Sequence, residues 1–176
     1  MRSLLIALLG GWIAGTLILA GVATQNFRTI DRLLSAPTPE FSRATAPLGH
    51  DEARIVLRYL SSELNRLYFG AWGFLQLVLG VTILAGALGH RPLDRKGVIG
   101  AAAIFVIAIV MLLLNWFIVP LGRGLDFVPH TPAPPSMARF WRLHSAYTAF
   151  DAMKLILCLW LLIRWSRPAN RVATKR

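Results

Sequence analysis

Apolar residues in this chain are gathered into four long blocks that contain few charges. The blocks cover residues 4–24, 67–88, 98–121 and 146–165. Each has about the 20 residues that an α-helix needs to cross the hydrocarbon core of a bilayer. A membrane β-barrel would show short segments of alternating polarity instead. The pattern predicts an all-α fold, in which residues 1–176 form a single membrane domain: an integral membrane four-helix bundle.

The first block has a second interpretation as a secretory signal. Residues 21–23, Gly-Val-Ala, resemble a cleavage site. The apolar stretch before them is longer than the apolar region of an ordinary signal peptide. We therefore expect the block to be retained as a membrane anchor.

The predicted helices continue beyond the apolar blocks on one side of the membrane, termed the outer side. Residues 25–34 keep a helical apolar spacing until Pro37 ends it. Asp51 and Glu52 suit a helix start, and Ser136 is predicted to cap the fourth spanning helix. An apolar face leads into the second block through Ile55, Tyr59 and Leu60. We expect helical extensions there, either as a crown above the bilayer or as helices lying on the lipid surface.

The charge of the chain changes this picture little. The 176 residues are 56% hydrophobic and carry a formal net charge of +11. Basic proteins often bind nucleic acid, but these cations flank the apolar blocks and do not form a basic stripe interleaved with aromatic residues. We therefore exclude nucleic acid as a partner and assign the charge to contact with anionic membrane lipid. Cys158 is the single cysteine, so neither an intramolecular disulfide nor a cysteine-based metal site is possible.

The distribution of charge also predicts an orientation. The side that holds the termini has nine Lys and Arg residues with one acidic residue, whereas the outer side has nine with six. Cationic residues in short segments favour the cytoplasmic side. We expect a multi-pass protein of the bacterial inner membrane with both termini in the cytoplasm.

The fourth block carries a polar face at helical spacing. It consists of His144, Tyr147, Thr148, Asp151 and Lys154. Lys154 lies ten residues from Arg164, hence about 15 Å deep and near the bilayer midplane. Ionised groups at that depth are costly and often mark functional sites. The alternative is that Asp151 and Lys154, three residues apart, neutralise each other and fix the rotation of the helix.

Two further polar residues have matching expected depths. Gln76 lies ten residues inward from Arg66, and Asn115 lies near the outer end of the third block. One hypothesis is a cavity open to the outer side. Its predicted lining is an intramembrane polar cluster of Gln76, Asn115, His144, Asp151 and Lys154.

Cofactors and catalysis find little support in the sequence. His144 with nearby aromatic residues is compatible with a haem or chlorophyll ligand, but such sites in bundles usually have facing histidines, and His50, His90 and His130 all lie in connections. We predict no cofactor and no metal. The familiar hydrolase, nucleotide-binding and zinc motifs are missing from the sequence. We expect a protein that is not an enzyme.

Three stretches carry a resemblance to a known family. They are Gln25-Asn26-Phe27-Arg28 after the first block, residues 114–120 (Leu-Asn-Trp-Phe-Ile-Val-Pro), and residues 140–144 (Phe-Trp-Arg-Leu-His) with Asp151 seven residues later. The chain resembles a bacterial family of small four-span proteins of unknown function. That family is related to the animal transmembrane protein associated with cisplatin resistance. The matched positions are Asn115, Pro120, His144 and Asp151, although the family usually has Asn in place of Asp151.

The resemblance implies a four-helix integral membrane protein whose biochemistry is unsettled. We therefore expect a non-enzymatic structural or accessory subunit of a larger membrane complex, with membrane lipid and other membrane-protein subunits as partners. The alternative is a binder or transporter of a small molecule, a lipid or a metal complex that uses the polar face of the fourth span.

Overall fold

The structure is a computed structural model that describes residues 1–89, 95–129 and 131–167. In these ranges the chain is all helical and forms five α-helices. They are α1 (Arg2–Ser35), α2 (Pro39–Thr45), α3 (Gly49–Gly89), α4 (Arg95–Arg123) and α5 (Pro135–Ser166). All except α2 are long and apolar enough to cross a membrane. The chain is an integral membrane helical bundle, as the apolar blocks predict.

Proline and glycine set most of the helix boundaries on the outer side. Helix α1 ends at Ser35, two residues before Pro37, as predicted. Thr38 caps α2 by accepting a hydrogen bond from the Phe41 backbone N–H, and Pro39 follows at the first helical position. Gly49 has a φ of +73°, a left-handed conformation that favours glycine. Asp51 and Glu52 lie in the first turn of α3, where carboxylates stabilise the helix start.

The predicted cap of the fourth span is wrong. Pro134 occupies the N-cap position of α5, and its side chain makes no capping hydrogen bond. Pro135 takes the first helical position, where its fixed φ and missing N–H are tolerated. The helix therefore begins one residue before Ser136.

The four long helices form a closed ring in the order α1, α3, α4, α5. Within the described residues, α1 packs against α3 and α5, and α4 also packs against α3 and α5. Neighbours in this ring run in opposite directions, because each helix leads back across the bundle. Across one diagonal of the ring, side chains link α3 to α5, as between Gln76 and Lys154.

Small residues allow close helix contact at particular positions. A Cβ atom on Gly15 would meet the Trp72 ring at 2.3 Å, and one on Gly80 would meet Phe105 at 2.7 Å. By contrast, a Cβ atom on Gly11 or Gly70 would meet nothing within 4 Å. Gly11 and Gly15 have the GxxxG spacing that favours close helix packing in membranes, but of the two only Gly15 lies against a neighbouring helix.

The helices continue beyond the membrane region as a paired extension. We call residues 25–66 the crown. Arg54 Nη2 lies 3.0 Å from Asp31 Oδ1, and Asn26 Nδ2 donates to Asn65 Oδ1 at 2.8 Å. Arg58 also lies over the ring of Phe27 at 5.3 Å. These contacts hold the extension of α1 against that of α3, so the crown prolongs the bundle instead of spreading as separate lipid-surface helices.

Candidate functional site

Lys154 of α5 lies at the centre of the bundle and is fully buried. Its ammonium group donates a hydrogen bond to Asp151 Oδ1 at 2.5 Å and another to Gln76 Oε1. The first contact stays within α5, since the two residues are separated by three positions. The second crosses the bundle diagonal to α3. The sequence prediction that Asp151 and Lys154 pair is confirmed.

Gln76 links this pair to a third helix. Its side chain is buried, and Oε1 also accepts a hydrogen bond from Trp12 Nε1 of α1 at 3.1 Å. We call Trp12, Gln76, Asp151 and Lys154 the central cluster. It joins α1, α3 and α5 through one shared acceptor atom. Sequence reasoning missed Trp12, although its separation of ten residues from Arg2 places it at the depth of Gln76 and Lys154.

The central cluster lies near the middle of the predicted membrane slab. Trp12, Gln76 and Lys154 are each ten residues from an arginine at the end of their helix. Ten residues correspond to about 15 Å, or half of the hydrocarbon thickness. Arg2 and Arg164 mark one edge and Arg66 the other. Counting residues on three different helices therefore places all three side chains at the same depth, near the bilayer midplane.

The central cluster carries no net charge, and its members hold one another in place. One carboxylate balances one ammonium, and the amide oxygen of Gln76 accepts two donors. A buried charge that loses its partner is strongly destabilising, so each member holds the others in place. Asp151 is the member that remains partly accessible, with 23% of its side chain exposed. Residues 1–89, 95–129 and 131–167 contain no group of three His, Cys, Asp or Glu side chains suited to a metal ion.

His144 and Asn115 lie apart from the central cluster. His144 is exposed near the start of α5, where it stacks on Phe140 with ring centroids 5.7 Å apart and meets the edge of Trp141. Asn115 is half-buried in α4, and its side chain makes no hydrogen bond within the described residues. The structure thus brings together Gln76, Asp151 and Lys154 from the predicted five.

The other histidines do not supply a facing ligand in the part of the chain that is described. His50 is exposed beside Asp51, with Nδ1 3.2 Å from Oδ1. His90 and His130 lie outside the described residues. Haem or chlorophyll ligation by His144 stays an untested alternative.

A charged network closes the outer end of the bundle. Arg66 of α3 makes a two-pronged contact with Asp126, with Nη2–Oδ1 and Nη1–Oδ2 distances of 2.6 and 2.8 Å. Arg66 Nη1 also lies 2.6 Å from Glu63 Oε1, and Arg123 donates to both Glu63 oxygens at 3.2 Å. We call these four residues the outer clamp. It ties α3 to the end of α4 and to the connection after it.

Hydrogen bonds within the outer clamp favour the charged forms of Glu63 and Arg66. Hydrogen bonds from Arg123 and then Arg66 lower the pKa of Glu63. Burial by itself would lower the pKa of Arg66, but hydrogen bonds to Asp126 and Glu63 outweigh it and raise the pKa above its ordinary value. Sequence reasoning missed this network, because 60 residues separate its two halves. The sequence did show charged residues at the outer ends of the second and third predicted spans, and these were the signal for the network.

An apolar groove lies between α1 and α3 in the outer half of the membrane region. Its volume is about 450 Å³, and it is lined by Gly15, Ile18, Leu19, Val22, Tyr68, Ala71, Trp72 and Leu75. None of the five predicted site residues lines this groove. Its walls are apolar, unlike those of the predicted polar cavity.

Comparisons with known proteins identify no relative. The chain matches no family model, no curated protein and no solved structure. The resemblance to the four-span family of unknown function therefore stays a prediction from the quoted residues.

Proposed function

We propose that this chain is a non-enzymatic accessory subunit of a larger membrane complex and that it binds its partner through the crown. One observation supports the proposal most directly. An apolar patch on α3 is exposed beyond the expected limits of the lipid. We call Ile55, Val56, Tyr59 and Leu60 the crown patch.

The crown patch is a continuous surface on one face of a helix. Its residues follow the spacing i, i+1, i+4 and i+5, which spans about 140° of the circumference. Each is 39 to 55% exposed. The ring of Tyr59 also packs against that of Phe127, with the two ring centroids 4.9 Å apart, and Phe127 is itself 63% exposed. The α3 face thus continues onto the connection after α4.

Lipid does not account for the exposure of this patch. Arg66 marks the outer edge of the bundle, and the patch lies six to eleven residues beyond it, or about 9 to 16 Å. The polar headgroup layer adds only about 5 to 8 Å to each side of the hydrocarbon. Exposed apolar patches in water commonly mark protein interfaces. The expected partner is a membrane protein with an apolar surface above the bilayer.

The central cluster supports the non-enzymatic part of the proposal. Its carboxylate, ammonium and amide are engaged with one another and hold three helices together. Such an arrangement stabilises a bundle and fixes the rotation of its helices. We further propose that the termini lie in the cytoplasm of a bacterial cell, because cationic residues outnumber acidic ones nine to one on their side.

The test is the native size of the protein after extraction in mild detergent. The parent chain is expected in a particle larger than its own 19.5 kDa plus detergent, together with a different polypeptide. Ile55→Ser combined with Leu60→Ser should release the chain from that particle. Leu48→Ser is the matched control, because Leu48 is an exposed crown residue outside the patch.

Two results would overturn the proposal. One is a parent chain that is monomeric at every concentration. The other is a particle that contains only copies of this chain. If Leu48→Ser releases the chain as readily as the crown-patch variant does, the crown patch is not the interface.

A further inference from the structure

We propose that the outer half of the bundle interior binds water, and that this water connects Asp151 with the solution on the outer side. The site is a layer of polar side chains one helical turn outward from the midplane, with one member on each long helix. We call Thr16, Trp72, Asn115 and Asp151 the outer layer. The proposal goes beyond the accessory role given above and does not depend on the crown patch.

The helix register brings the members of the outer layer to one depth. Thr16 and Trp72 each lie four residues outward from the central-cluster member of their own helix, and Asp151 lies three residues outward from Lys154. One helical turn corresponds to about 5 Å along the axis. On α4, Asn115 lies four residues outward from Met111, which is 1% exposed. Because hydrogen bonds join α1, α3 and α5 at the central cluster, the positions one turn outward also face the interior.

The outer layer contains polar atoms that the protein leaves unpaired. Thr16 is 3% exposed, and its Oγ1 has no hydrogen-bond partner within the described residues. The indole N–H of Trp72 is likewise covered and unpaired there, and the ring lies against α1 at Gly15. A third such atom, Trp165 Nε1, lies at the opposite edge of the bundle. Leaving a buried donor or acceptor unpaired is costly, and ordered water commonly satisfies such groups.

Asp151 carries the charge that requires water at this depth. Its Oδ1 accepts a hydrogen bond from Lys154, whereas its Oδ2 accepts none within the described residues. Asp151 is 13 residues from Arg164, which places it about 20 Å from the edge on the side of the termini and about 10 Å below the outer edge. Carboxylates at such depths face protein partners or water-filled cavities. The exposed part of the Asp151 side chain therefore contacts water instead of lipid.

The other half of the interior is apolar, so the water ends at the central cluster. On the side of the termini, the core contains large aliphatic side chains that are at most 1% exposed. They are Leu5, Leu9, Ile83, Ile104 and Leu161. These side chains offer no hydrogen bond to a water molecule, and apolar interiors stay dry. The bundle is thus hydrated on one side of the midplane and closed on the other, so water enters from the outer side only.

NMR of the full-length protein in detergent, with isotope-labelled tryptophan, tests for the water directly. The indole N–H of Trp72 should receive magnetisation from water. That of Trp12 is the internal control, because it lies one turn deeper and donates to Gln76, so it should receive far less. Trp72→Phe and Trp12→Phe assign the two signals. Absence of transfer at Trp72, or equal transfer at both indoles, would overturn the proposal.

Substitution of Thr16 provides a second test. Thr16→Val keeps the shape of the side chain and removes the hydroxyl, so the melting temperature should fall and the transfer from water to Trp72 should weaken. Thr16→Ser should retain both. The matched control is Thr82→Val, because the Thr82 hydroxyl is exposed and donates to the Val78 carbonyl of its own helix. It should leave the Trp72 signal unchanged. A melting temperature raised by Thr16→Val would show that the hydroxyl lies in dry space and would refute bound water there.

Discussion

At the scale of single residues, the central cluster shows what spacing along a helix can predict. Asp151 and Lys154 lie three positions apart in an apolar block, which indicated both their depth and their pairing. Gln76 was placed at the same depth by counting from Arg66. The hydrogen bond from Trp12 was not predictable, because it depends on which helices become neighbours. His144 lies ten residues before Lys154, about 15 Å towards the outer end of α5, and Asn115 lies in the outer part of α4, so neither side chain reaches the central cluster.

Substitution within the buried pair should show strong coupling. Lys154→Met leaves the Asp151 carboxylate without its cation, and Asp151→Asn leaves the ammonium with Gln76 as its remaining partner. Each single change is expected to lower the free energy of unfolding by about 3–5 kcal/mol. The double variant should recover most of that loss, because the two uncompensated charges disappear together. Thermal or denaturant unfolding in detergent measures the cycle.

Thr148→Val provides the control for this cycle. Its hydroxyl is exposed and donates to the His144 carbonyl of its own helix, so its removal should change stability little. Additive losses in the double variant would show that Asp151 and Lys154 act separately.

Trp12→Phe removes one hydrogen bond from the central cluster while keeping an aromatic ring in the core. Gln76 Oε1 still accepts from Lys154, so no acceptor is left without a donor. The expected loss of stability is about 1 kcal/mol. A loss as large as that from Lys154→Met would contradict a supporting role for the indole N–H.

At the scale of helices, the apolar blocks predicted the spans but underestimated the length of the elements. Helix α3 has 41 residues, of which the predicted span covers only the second half. The extension from Gly49 was foreseen from Asp51, Glu52 and the apolar spacing. Ile55, Tyr59 and Leu60 were expected to form an apolar face, and the structure leaves that face exposed. Periodicity identifies a face and cannot say whether anything covers it.

Two glycines of α1 should respond differently to the same substitution. Gly15→Ala would push a methyl group into the Trp72 ring and is expected to cost about 1–3 kcal/mol. Gly11→Ala meets open space, so it should be neutral or slightly stabilising through better helix propensity. Unfolding in detergent compares the pair. Equal effects at both positions would contradict the α1–α3 contact described above.

The outer clamp predicts a dependence of stability on pH. The pKa of Glu63 is lower in the folded protein than the ordinary value of 4.5, chiefly because Arg123 and Arg66 donate hydrogen bonds to its carboxylate. Its contribution is therefore complete above pH 4.5 and is lost as the pH falls through the lower, folded value. Melting temperatures measured between neutral and strongly acidic pH should fall less steeply in Glu63→Gln than in the parent. Parallel profiles would contradict this contribution.

At the scale of the whole molecule, the cyclic order of the helices was beyond the reach of the sequence. Short connections favour antiparallel neighbours, but they do not decide that α1 closes the ring against α5. Arg2 reinforces that closure, since its Nε donates to the Trp165 carbonyl at 2.5 Å at the end of α5. The arginine donates to one of the carbonyls in the last turn of α5, where carbonyls have no partner within the helix.

The position of the bilayer along α3 can be tested with two residues on one face of the helix. His50 and Leu75 are both exposed and share a face of α3 outside the crown patch, but they are separated by about 38 Å along the helix. A membrane-impermeant maleimide should label His50→Cys in intact membranes and leave Leu75→Cys unlabelled. Cys158 is fully buried and should give little background. Labelling of both positions would contradict the placement of the bilayer.

The contact between Asp151 and Lys154 has a consequence for biosynthesis. Both residues belong to α5, so Lys154 can pair with Asp151 as soon as the helix forms. The pair can therefore exist when α5 enters the membrane from the translocon, before the other helices pack against it. A lone Asp or Lys at the centre of an inserting helix costs about 2.5–3.5 kcal/mol. An intrahelical pair reduces that cost at the moment of insertion, whereas the bond to Gln76 forms only at helix association. Helix α5 can therefore insert into the membrane before it associates with the other helices.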